Sequence, residues 1–475
     1  MDKREFVKTS VRGGLIVGSA IVLHYAIGLT SQAILARMLD PKHFGQLAFV
    51  TIAAMFFNTF TNIHGDKFVV RERQDTHRNL DNVFTLELIL ASFFVVFVFL
   101  LAPLMMRLLG RSELTTYVQV LAFAFFYNPL IRPRCLLERN LSFFYSRFPL
   151  IAASAIAAGV AILMAYLGFG VWSLLCWRLT NFAGEVIIHW TITSYRPRLA
   201  WNTEIIKKAI RFGWPLMGSY CLLFFYYNVS YYIVGQTLPD GETQLGYYWL
   251  AFQISTYFLK TRQILHTVLF PIFSLMEDKA RKARVFQKMT HAVAAVFLLL
   301  CMVMVFFGRE IVLFFLGAKW EPSIFPFQVI FVTVLTRAIN ANSGYYLYSQ
   351  GITKADLAAG IIYSVLLPPL AYFMTQSYGI NGTAVAVLLV NFVTVSYVFT
   401  KYIKPLAGVG VLHFFLRPWL IAGATFALMY LAYIYDIALP IRLGVFALLL
   451  LTAYLSVFRQ VVRDLSTAKA ILAQK

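Results

Sequence analysis

The sequence of 475 residues has few charged side chains and very few acidic ones. Asp, Glu, Lys and Arg make up only 13% of it, and 21 acidic residues stand against 41 basic ones. Ordinary soluble domains carry about 25% charged residues, and they need them to cover their surface. Together with a hydrophobic fraction of 60%, this shortage excludes a soluble globule and predicts a chain whose main solvent is lipid.

Residues for metal, redox or nucleophilic chemistry are scarce and scattered. The four cysteines, Cys135, Cys176, Cys221 and Cys301, form no CxxC pair, and the eight histidines form no HExxH arrangement. There is also no Walker loop and no GxSxG elbow. We therefore predict no metal, no cofactor and no enzymatic activity.

The net charge of +20 invites a nucleic-acid interpretation, but the basic residues are divided among many short loops. No stacking platform or recognition fold accompanies them, so nucleic acid is excluded as a partner. Membrane topology and contact with anionic membrane lipids explain the charge better. The segment 275–289, which mixes basic and apolar residues, predicts a short helix in the headgroup layer.

Long apolar runs fill almost the whole chain. They lack the alternation of barrel strands, so they predict membrane-spanning helices in an all-α polytopic membrane protein. About fourteen such runs are long enough to cross a hydrocarbon core of about 30 Å. The predicted spans are residues 12–36, 44–64, 83–109, 114–135, 146–168, 170–193, 209–235, 245–270, 288–310, 322–349, 355–378, 379–402, 411–435 and 439–460.

Basic clusters recur at every second turn between the first nine spans. Because Lys and Arg are retained on the cytoplasmic side during insertion, this rhythm predicts a multi-pass protein with both termini cytoplasmic. The clusters are Lys67/Arg71/Arg73/Arg78, Arg132/Arg134/Arg139/Arg147, Arg196/Arg198/Lys207/Lys208/Arg211 and Lys279/Arg281/Lys282/Arg284/Lys288.

An internal repeat relates the first span to the seventh. Residues 39–41 and 44–47 (Leu-Asp-Pro and Phe-Gly-Gln-Leu) follow span one, and residues 238–240 and 245–247 (Leu-Pro-Asp and Leu-Gly-Tyr) follow span seven. Six spans separate the copies, so both enter from the same side and the repeat is parallel. Two similar helical bundles around a midplane site are typical of a transporter.

Three motifs stand in order along the chain. They are residues 35–41 (Leu-Ala-Arg-Met-Leu-Asp-Pro) with Phe44 and Gly45, residues 168–172 (Gly-Phe-Gly-Val-Trp) and residues 269–274 (Leu-Phe-Pro-Ile-Phe-Ser). The order resembles the polysaccharide and lipid-linked oligosaccharide flippases of the multidrug/oligosaccharidyl-lipid/polysaccharide exporter superfamily, nearly end to end.

The resemblance implies two six-helix lobes around a central cavity. We expect an N-lobe over residues 1–200, a C-lobe over 201–405, and a C-terminal helix pair with a cytoplasmic tail over 406–475. The implied activity is translocation of an undecaprenyl-diphosphate-linked oligosaccharide from the cytoplasmic to the outer leaflet of the bacterial inner membrane, for lipopolysaccharide or exopolysaccharide biosynthesis. The implied partners are this lipid-linked oligosaccharide and polysaccharide assembly proteins.

Polar side chains at helical spacing predict the lining of that cavity, because a polar stripe in a membrane helix must face protein or water. Span six carries such a stripe, and shorter ones occur in spans one, two and ten. The predicted cavity residues are Asn340, Asn181, Glu185, His24, Asn58 and Asn62.

Basic residues at membrane depth are the predicted contacts of the diphosphate headgroup. A charge there costs at least about 2.5 kcal/mol, so it needs a partner or a function. The candidates are Arg337, Arg262, Lys260, Arg178 and Arg37.

Each cation also has a structural interpretation. Arg337 alternatively pairs with Glu185 or Glu87 from another helix. Lys260 and Arg262 alternatively extend to the lipid headgroups, and Arg37 alternatively anchors span one. For Arg178, an internal pair with Glu185 is favoured.

Two energy sources and two other functions stay open. The membrane potential favours outward movement of an anionic headgroup, whereas Glu185, His24 or His189 would suit proton coupling. The alternative functions are a proton- or sodium-coupled multidrug exporter and, from a different class, a membrane glycan polymerase or ligase. The exporter would favour buried acids, and the enzyme would need a long external loop.

Overall fold

The structure is a computed structural model, and it describes residues 3–71, 75–139, 142–260, 278–352, 354–435 and 437–455. Every regular element in these ranges is a helix. The chain forms two compact units, residues 1–249 and residues 250–475, which are taken separately below. The predicted lobe boundary at residue 200 stays a prediction.

The helices of the first unit include short pieces as well as long ones. They are α1 (Lys3–Met38), α2 (Pro41–Thr61), α3 (Gly65–Arg71), α4 (Thr76–Leu108), α5 (Thr115–Ala122), α6 (Tyr127–Leu130), α7 (Arg134–Arg139), α8 (Phe143–Tyr166), α9 (Val171–Ile192), α10 (Thr203–Thr237) and the start of α11 (Gly241–Lys260). Two 3-10 segments, Ser112–Leu114 and Phe123–Phe126, flank α5.

The second unit continues from α11 with longer helices. They are α12 (Lys279–Phe306), α13 (Gly308–Leu316), α14 (Ile324–Ser349), α15 (Lys354–Val398), α16 (Lys404–Ala407), α17 (Val411–Ile434) and α18 (Leu439–Ala453). A 3-10 segment, Ala318–Ser323, precedes α14, and a π-helical segment, Phe399–Ile403, joins α15 to α16.

Eight helical stretches of the described residues are long and apolar enough to span a membrane. The longest, Lys354–Ala407, has 54 residues and is interrupted at Gly379, whose φ of +60° an L side chain rarely adopts. The sequence predicts two spans, 355–378 and 379–402, that meet at this glycine. The predicted fold class, an all-α polytopic membrane protein, is confirmed.

Two predicted elements differ from the observed ones. The predicted span 114–135 is a series of short α and 3-10 pieces, because apolarity indicates burial in the membrane but does not fix the helix type. The predicted headgroup helix over 275–289 is wrong as a separate element. Its described part runs without a break into α12, which begins at Lys279 after an Asp278 N-cap.

Within the first unit, α8 packs against α9 and α1, while α2 packs against α4, α5 and α10. Within the second unit, α12 packs against α14 and α17, and α14 also packs against α15. Large aromatic side chains such as Phe286, Tyr346 and Phe331 are fully buried there. Each unit therefore has its own apolar core.

The α9–α10 connection is held against α4. The Tyr195 hydroxyl donates to Asp81, and the Arg198 amide donates to the same carboxylate at 2.8 Å. Burial and the hydrogen bond to Asp81 raise the pKa of Tyr195, so its phenol stays protonated as the donor. Further along, the Ala200 amide donates to Thr85 at 2.9 Å. The connection thus has a fixed path.

Helix α2 and the residues that follow it make very close contacts with α11 and α10. A Cβ on Gly45 would lie 1.7 Å from the Glu242 carbonyl oxygen, and a Cβ on Gly246 would lie 1.9 Å from the Pro41 carbonyl oxygen. A Cβ on Gly213 would lie 2.1 Å from the Ile63 carbonyl oxygen. Only glycine permits such an approach of two backbones, and small residues serve this purpose in membrane helices.

Candidate substrate-binding residues

Arg337 lies near the middle of α14, in the second unit, and is half-buried. Its Nη2 donates to the Tyr363 hydroxyl at 3.0 Å. The guanidinium carbon is 5.6 Å from the centre of the Phe252 ring and 5.9 Å from that of Tyr363, within the range of cation–π attraction. Three groups from two other helices thus position a planar cation that can bind phosphate oxygens through paired hydrogen bonds.

The other candidates of the second unit lie on α11 and α14. Asn340 follows Arg337 by one turn, is half-buried, and accepts a hydrogen bond from the Ser343 hydroxyl at 2.8 Å. Lys260 is the last residue of α11 and is exposed. Arg262 lies outside the described residues. Arg337 and Asn340 therefore share one helical face, as the sequence predicts.

The predicted polar stripe of span six lies on α9. Glu185 is buried at 2% exposure, and its carboxylate accepts from the Tyr127 hydroxyl at 2.8 Å and from Arg134 Nη1 at 3.3 Å. Tyr127 and Arg134 are partners that the sequence does not predict, and the predicted pairing of this carboxylate with Arg178 stays a prediction. Arg178 and Asn181 are half-buried on the same helix.

Asn58 and Asn62 take part in a buried network beside the end of α2. The Asn128 amide donates to the Asn58 side-chain oxygen at 2.9 Å, and Arg132 Nη2 donates to that of Asn62 at 2.9 Å. Arg132 also binds Glu87 through two hydrogen bonds, the one from Nη2 at 2.7 Å. Asn62 thus binds a member of the ion pair directly, and Asn58 belongs to the same network through Asn128.

The ion pair itself was missed in the sequence. Arg132 is 5% exposed and Glu87 is fully buried, although the sequence places Arg132 in a cytoplasmic loop and offers Glu87 as a partner for Arg337. Arg132 Nη1 also lies 3.2 Å from Asp66. The one available signal was Glu87 itself, an acid inside an apolar run that needs a cation nearby.

Two candidates lie on α1. His24 is half-buried, and its Nδ1 lies 3.2 Å from the Ser154 hydroxyl of α8. Arg37 is exposed in the last turn of α1. Among the described residues, His24, Asn58 and Glu185 thus have different hydrogen-bond partners, which are Ser154, Asn128 and Tyr127.

A second buried acid, also missed, lies where α2 and α11 begin. Glu242 is 4% exposed and accepts from Arg111 Nη1 and from Gln46 Nε2, each at 2.9 Å. Arg111 also donates to the Gly235 carbonyl at 2.8 Å, and its guanidinium carbon lies 4.2 Å from the Phe49 ring centre. This cluster stabilises the helix ends beside Gly45, one of the repeat glycines.

Comparison with known proteins gives relatives that match most of this chain and most of their own length. The lipopolysaccharide biosynthesis protein WzxC of Escherichia coli (strain K12) is 26% identical over 416 residues, which are 84% of this chain and 82% of that protein. The succinoglycan biosynthesis transport protein ExoT of Rhizobium meliloti (strain 1021) is 22% identical over 77% of this chain and 73% of its own length.

The fold is that of a solved flippase. A lipid II flippase, MurJ, in an inward closed conformation superposes with a TM-score of 0.67 at 12% identity, covering 93% of this chain and 98% of that one. The two relatives and this shared fold together confirm the resemblance predicted from the sequence motifs. A family described as polysaccharide biosynthesis protein matches residues 34–325. Because this match covers more than half of the sequence, the chain belongs to the polysaccharide biosynthesis protein family.

Proposed function

We propose that this protein flips an undecaprenyl-diphosphate-linked oligosaccharide from the cytoplasmic to the outer leaflet of the bacterial inner membrane by alternating access. The family match over residues 34–325 carries the proposal. It is supported by relatives named for lipopolysaccharide biosynthesis and succinoglycan transport, and by the fold shared with a lipid II flippase.

Arg337 is the residue we assign to the headgroup. Its position in the middle of a membrane helix is costly, and intramembrane charges mark substrate paths by default. The Tyr363 hydroxyl and the Phe252 ring fix the guanidinium plane, which reduces the ordering cost of a two-point contact with a diphosphate. Asn340, one turn away, offers a second polar contact.

The membrane potential is the proposed energy source. Moving a diphosphate with about two negative charges outward across an inside-negative membrane is favoured by about 2.3 kcal/mol per charge per 100 mV. This scheme uses neither ATP nor a bound ion. Proton coupling through Glu185, His24 or His189 is the alternative.

The two runner-up functions have weaker support. An exporter of cationic drugs would use acids that remain available for a ligand, whereas Glu185, Glu87 and Glu242 each bind an arginine. A glycan polymerase or ligase would change the covalent structure of the glycan. Incubating purified protein with a lipid-linked oligosaccharide separates the enzyme from the flippase, because only the enzyme alters chain length.

The test measures lipid-linked oligosaccharide at the outer leaflet of cells that lack the protein. Complementation by wild type should restore outer-leaflet glycan, and Arg337→Ala at matched protein level should restore at most about a tenth of it, since a charge-assisted contact contributes about 1.5–3 kcal/mol. Arg309→Ala, at an exposed ion pair of the same unit, is the control and should restore fully. Full restoration by Arg337→Ala would show that Arg337 has a structural role and does not bind the headgroup. If wild type restores no outer-leaflet glycan, the proposed substrate class is wrong.

A further inference from the structure

Two adjoining cavities of the first unit form one groove along α9. The larger has a volume of about 440 Å³ and lies between α9 and the stretch from Phe123 to Leu130; the smaller has about 360 Å³. Leu130, Val186 and Ile187 line both cavities, so the two are continuous. Ile187 is 61% exposed and Phe123 is 52% exposed, which places the groove at the surface of the unit.

The larger part of the groove is apolar. Phe126, Leu179, Phe182 and Val186 form its walls, and the small side chain of Ala183 leaves room between them. Among its described lining residues the one polar side chain is Tyr127, which directs its hydroxyl to Glu185 at 2.8 Å. The described wall therefore offers no free polar group that would select a polar ligand, and a hydrocarbon chain fits it best.

The groove uses a different face of α9 from the polar stripe. Successive residues of a helix are about 100° apart around its axis. On α9 the groove positions Ala183 and Val186 therefore point about a third of a turn away from the polar stripe, which consists of Arg178, Asn181 and Glu185. The groove thus lies on a different face of α9 from the polar side chains that the sequence predicts to line the cavity.

The other end of the groove is polar and cationic. It is lined by Trp190, Thr191 and Arg196. The Trp190 indole donates to the Leu130 carbonyl at 2.7 Å, and the Arg196 guanidinium carbon lies 5.6 Å from its ring centre. Arg196 is exposed on the α9–α10 connection that Tyr195 and Arg198 attach to α4. Tryptophan and arginine in this arrangement are typical of the membrane–water interface.

The length of the groove identifies the kind of chain. Its positions on α9 run from Leu179 to Thr191, which is about 18 Å at 1.5 Å per residue. That is a little over half of a hydrocarbon core of about 30 Å, close to the depth of a single leaflet. A phospholipid acyl chain has this reach, whereas a polyprenyl chain is much longer.

We propose that this groove binds an acyl chain of an anionic phospholipid whose phosphate lies at Arg196. By the predicted orientation, this lipid belongs to the cytoplasmic leaflet. The site is independent of the proposed transport substrate, and its occupant is a resident lipid of the membrane.

The proposal is tested by native mass spectrometry of the full-length protein with phosphatidylglycerol or phosphatidylcholine of the same acyl chains. Wild type should retain phosphatidylglycerol at least tenfold better, and Arg196→Gln should abolish that preference. Arg198→Gln, two residues away, is the matched charge control and should keep it. Ala183→Trp should lower retention of both lipids, while Ala155→Trp, at an exposed alanine of α8, should not.

Three results would overturn the proposal. They are equal retention of the two lipids by wild type, an equal effect of Arg198→Gln and Arg196→Gln, and displacement of phosphatidylglycerol by equimolar undecaprenyl phosphate, which would make a polyprenyl chain the occupant. Photocrosslinking from benzoylphenylalanine at Ile187 gives a second readout that does not depend on variant stability. It should label phosphatidylglycerol in wild-type background and lose that label when Arg196→Gln is added.

Discussion

At the scale of single residues, the buried pair of Glu87 and Arg132 gives a prediction about stability. Glu87→Gln leaves the Arg132 guanidinium with Asp66 as its remaining carboxylate among the described residues, so it should lower the free energy of unfolding by about 3 kcal/mol. Replacing both partners, as in Glu87→Gln with Arg132→Met, should recover most of this loss. Titration with a denaturing detergent measures both effects.

The control for this pair is an acid at the surface. Glu113→Gln, on an exposed side chain, should change the free energy of unfolding by less than about 0.5 kcal/mol. If the double variant is as unstable as Glu87→Gln alone, the cost comes from lost packing and the ion-pair explanation is wrong.

Tyr363 gives a prediction about transport. Tyr363→Phe keeps the aromatic ring beside Arg337 but removes the hydroxyl that accepts its hydrogen bond. Since such a bond contributes about 1.5 kcal/mol, we expect the flipping rate to fall about tenfold. Tyr372→Phe, on the exposed face of the same helix, should leave the rate unchanged. Equal rates for the two variants would show that the hydroxyl does not position Arg337.

These residue contacts were only partly predictable. The sequence identifies Asn58, Asn62 and Glu185 as polar side chains that must face protein or water, and the structure gives each a polar partner. It does not reveal Arg132 and Arg134 as partners, because they come from short pieces far along the chain. Pairing at such separation depends on packing, which no local pattern encodes.

At the scale of helices, the glycines of α2 and α11 predict an unusual sensitivity to alanine. Alanine is favoured over glycine inside a helix by about 1 kcal/mol, and Gly159→Ala on α8, where a Cβ would meet nothing within 4 Å, should gain up to that amount. Gly45→Ala and Gly246→Ala should instead destabilise the protein, since the added Cβ overlaps a carbonyl oxygen. Thermal unfolding in detergent ranks the three variants; equal stability of Gly45→Ala and Gly159→Ala would contradict the close crossing.

The sequence predicts a helix boundary correctly where a single residue fixes the backbone conformation. Gly379 is such a case, because its positive φ ends one span and starts the next. The stretch from Ser112 to Leu130 is the opposite case. Its apolar pattern is compatible with one span, but the chain alternates between 3-10 and α geometry there, and this alternation depends on tertiary packing.

At the scale of the whole molecule, the proposed energy source predicts a response to voltage. In proteoliposomes, outward movement of a lipid-linked diphosphate should accelerate as the inside is made more negative, with about 4.6 kcal/mol available at 100 mV for two charges. Reversing the polarity should drive the lipid inward. Accumulation driven by a pH gradient at zero potential would contradict this scheme and favour proton coupling.

The overall class of the molecule was the most predictable property. A hydrophobic fraction of 60% and long apolar runs place most of the chain in lipid. Because lipid offers no hydrogen-bond partners, the backbone amides and carbonyls of these non-alternating runs must pair within helices. The orientation from basic clusters stays a prediction, as does the set of headgroup contacts. Those depend on side-chain placement, and one of them, Arg262, lies outside the described residues.

The crossing of α2 and α11 is reciprocal. Gly45 lies against the carbonyl oxygen of Glu242, which is four residues before Gly246. Gly246 lies against the carbonyl oxygen of Pro41, which is four residues before Gly45. In a dimer of identical chains, a twofold axis produces this pairing of residue with residue. The two glycines also occupy matching places in the predicted internal repeat. Each glycine therefore meets the backbone of the other predicted copy, so a larger side chain at either position requires the facing helix to shift.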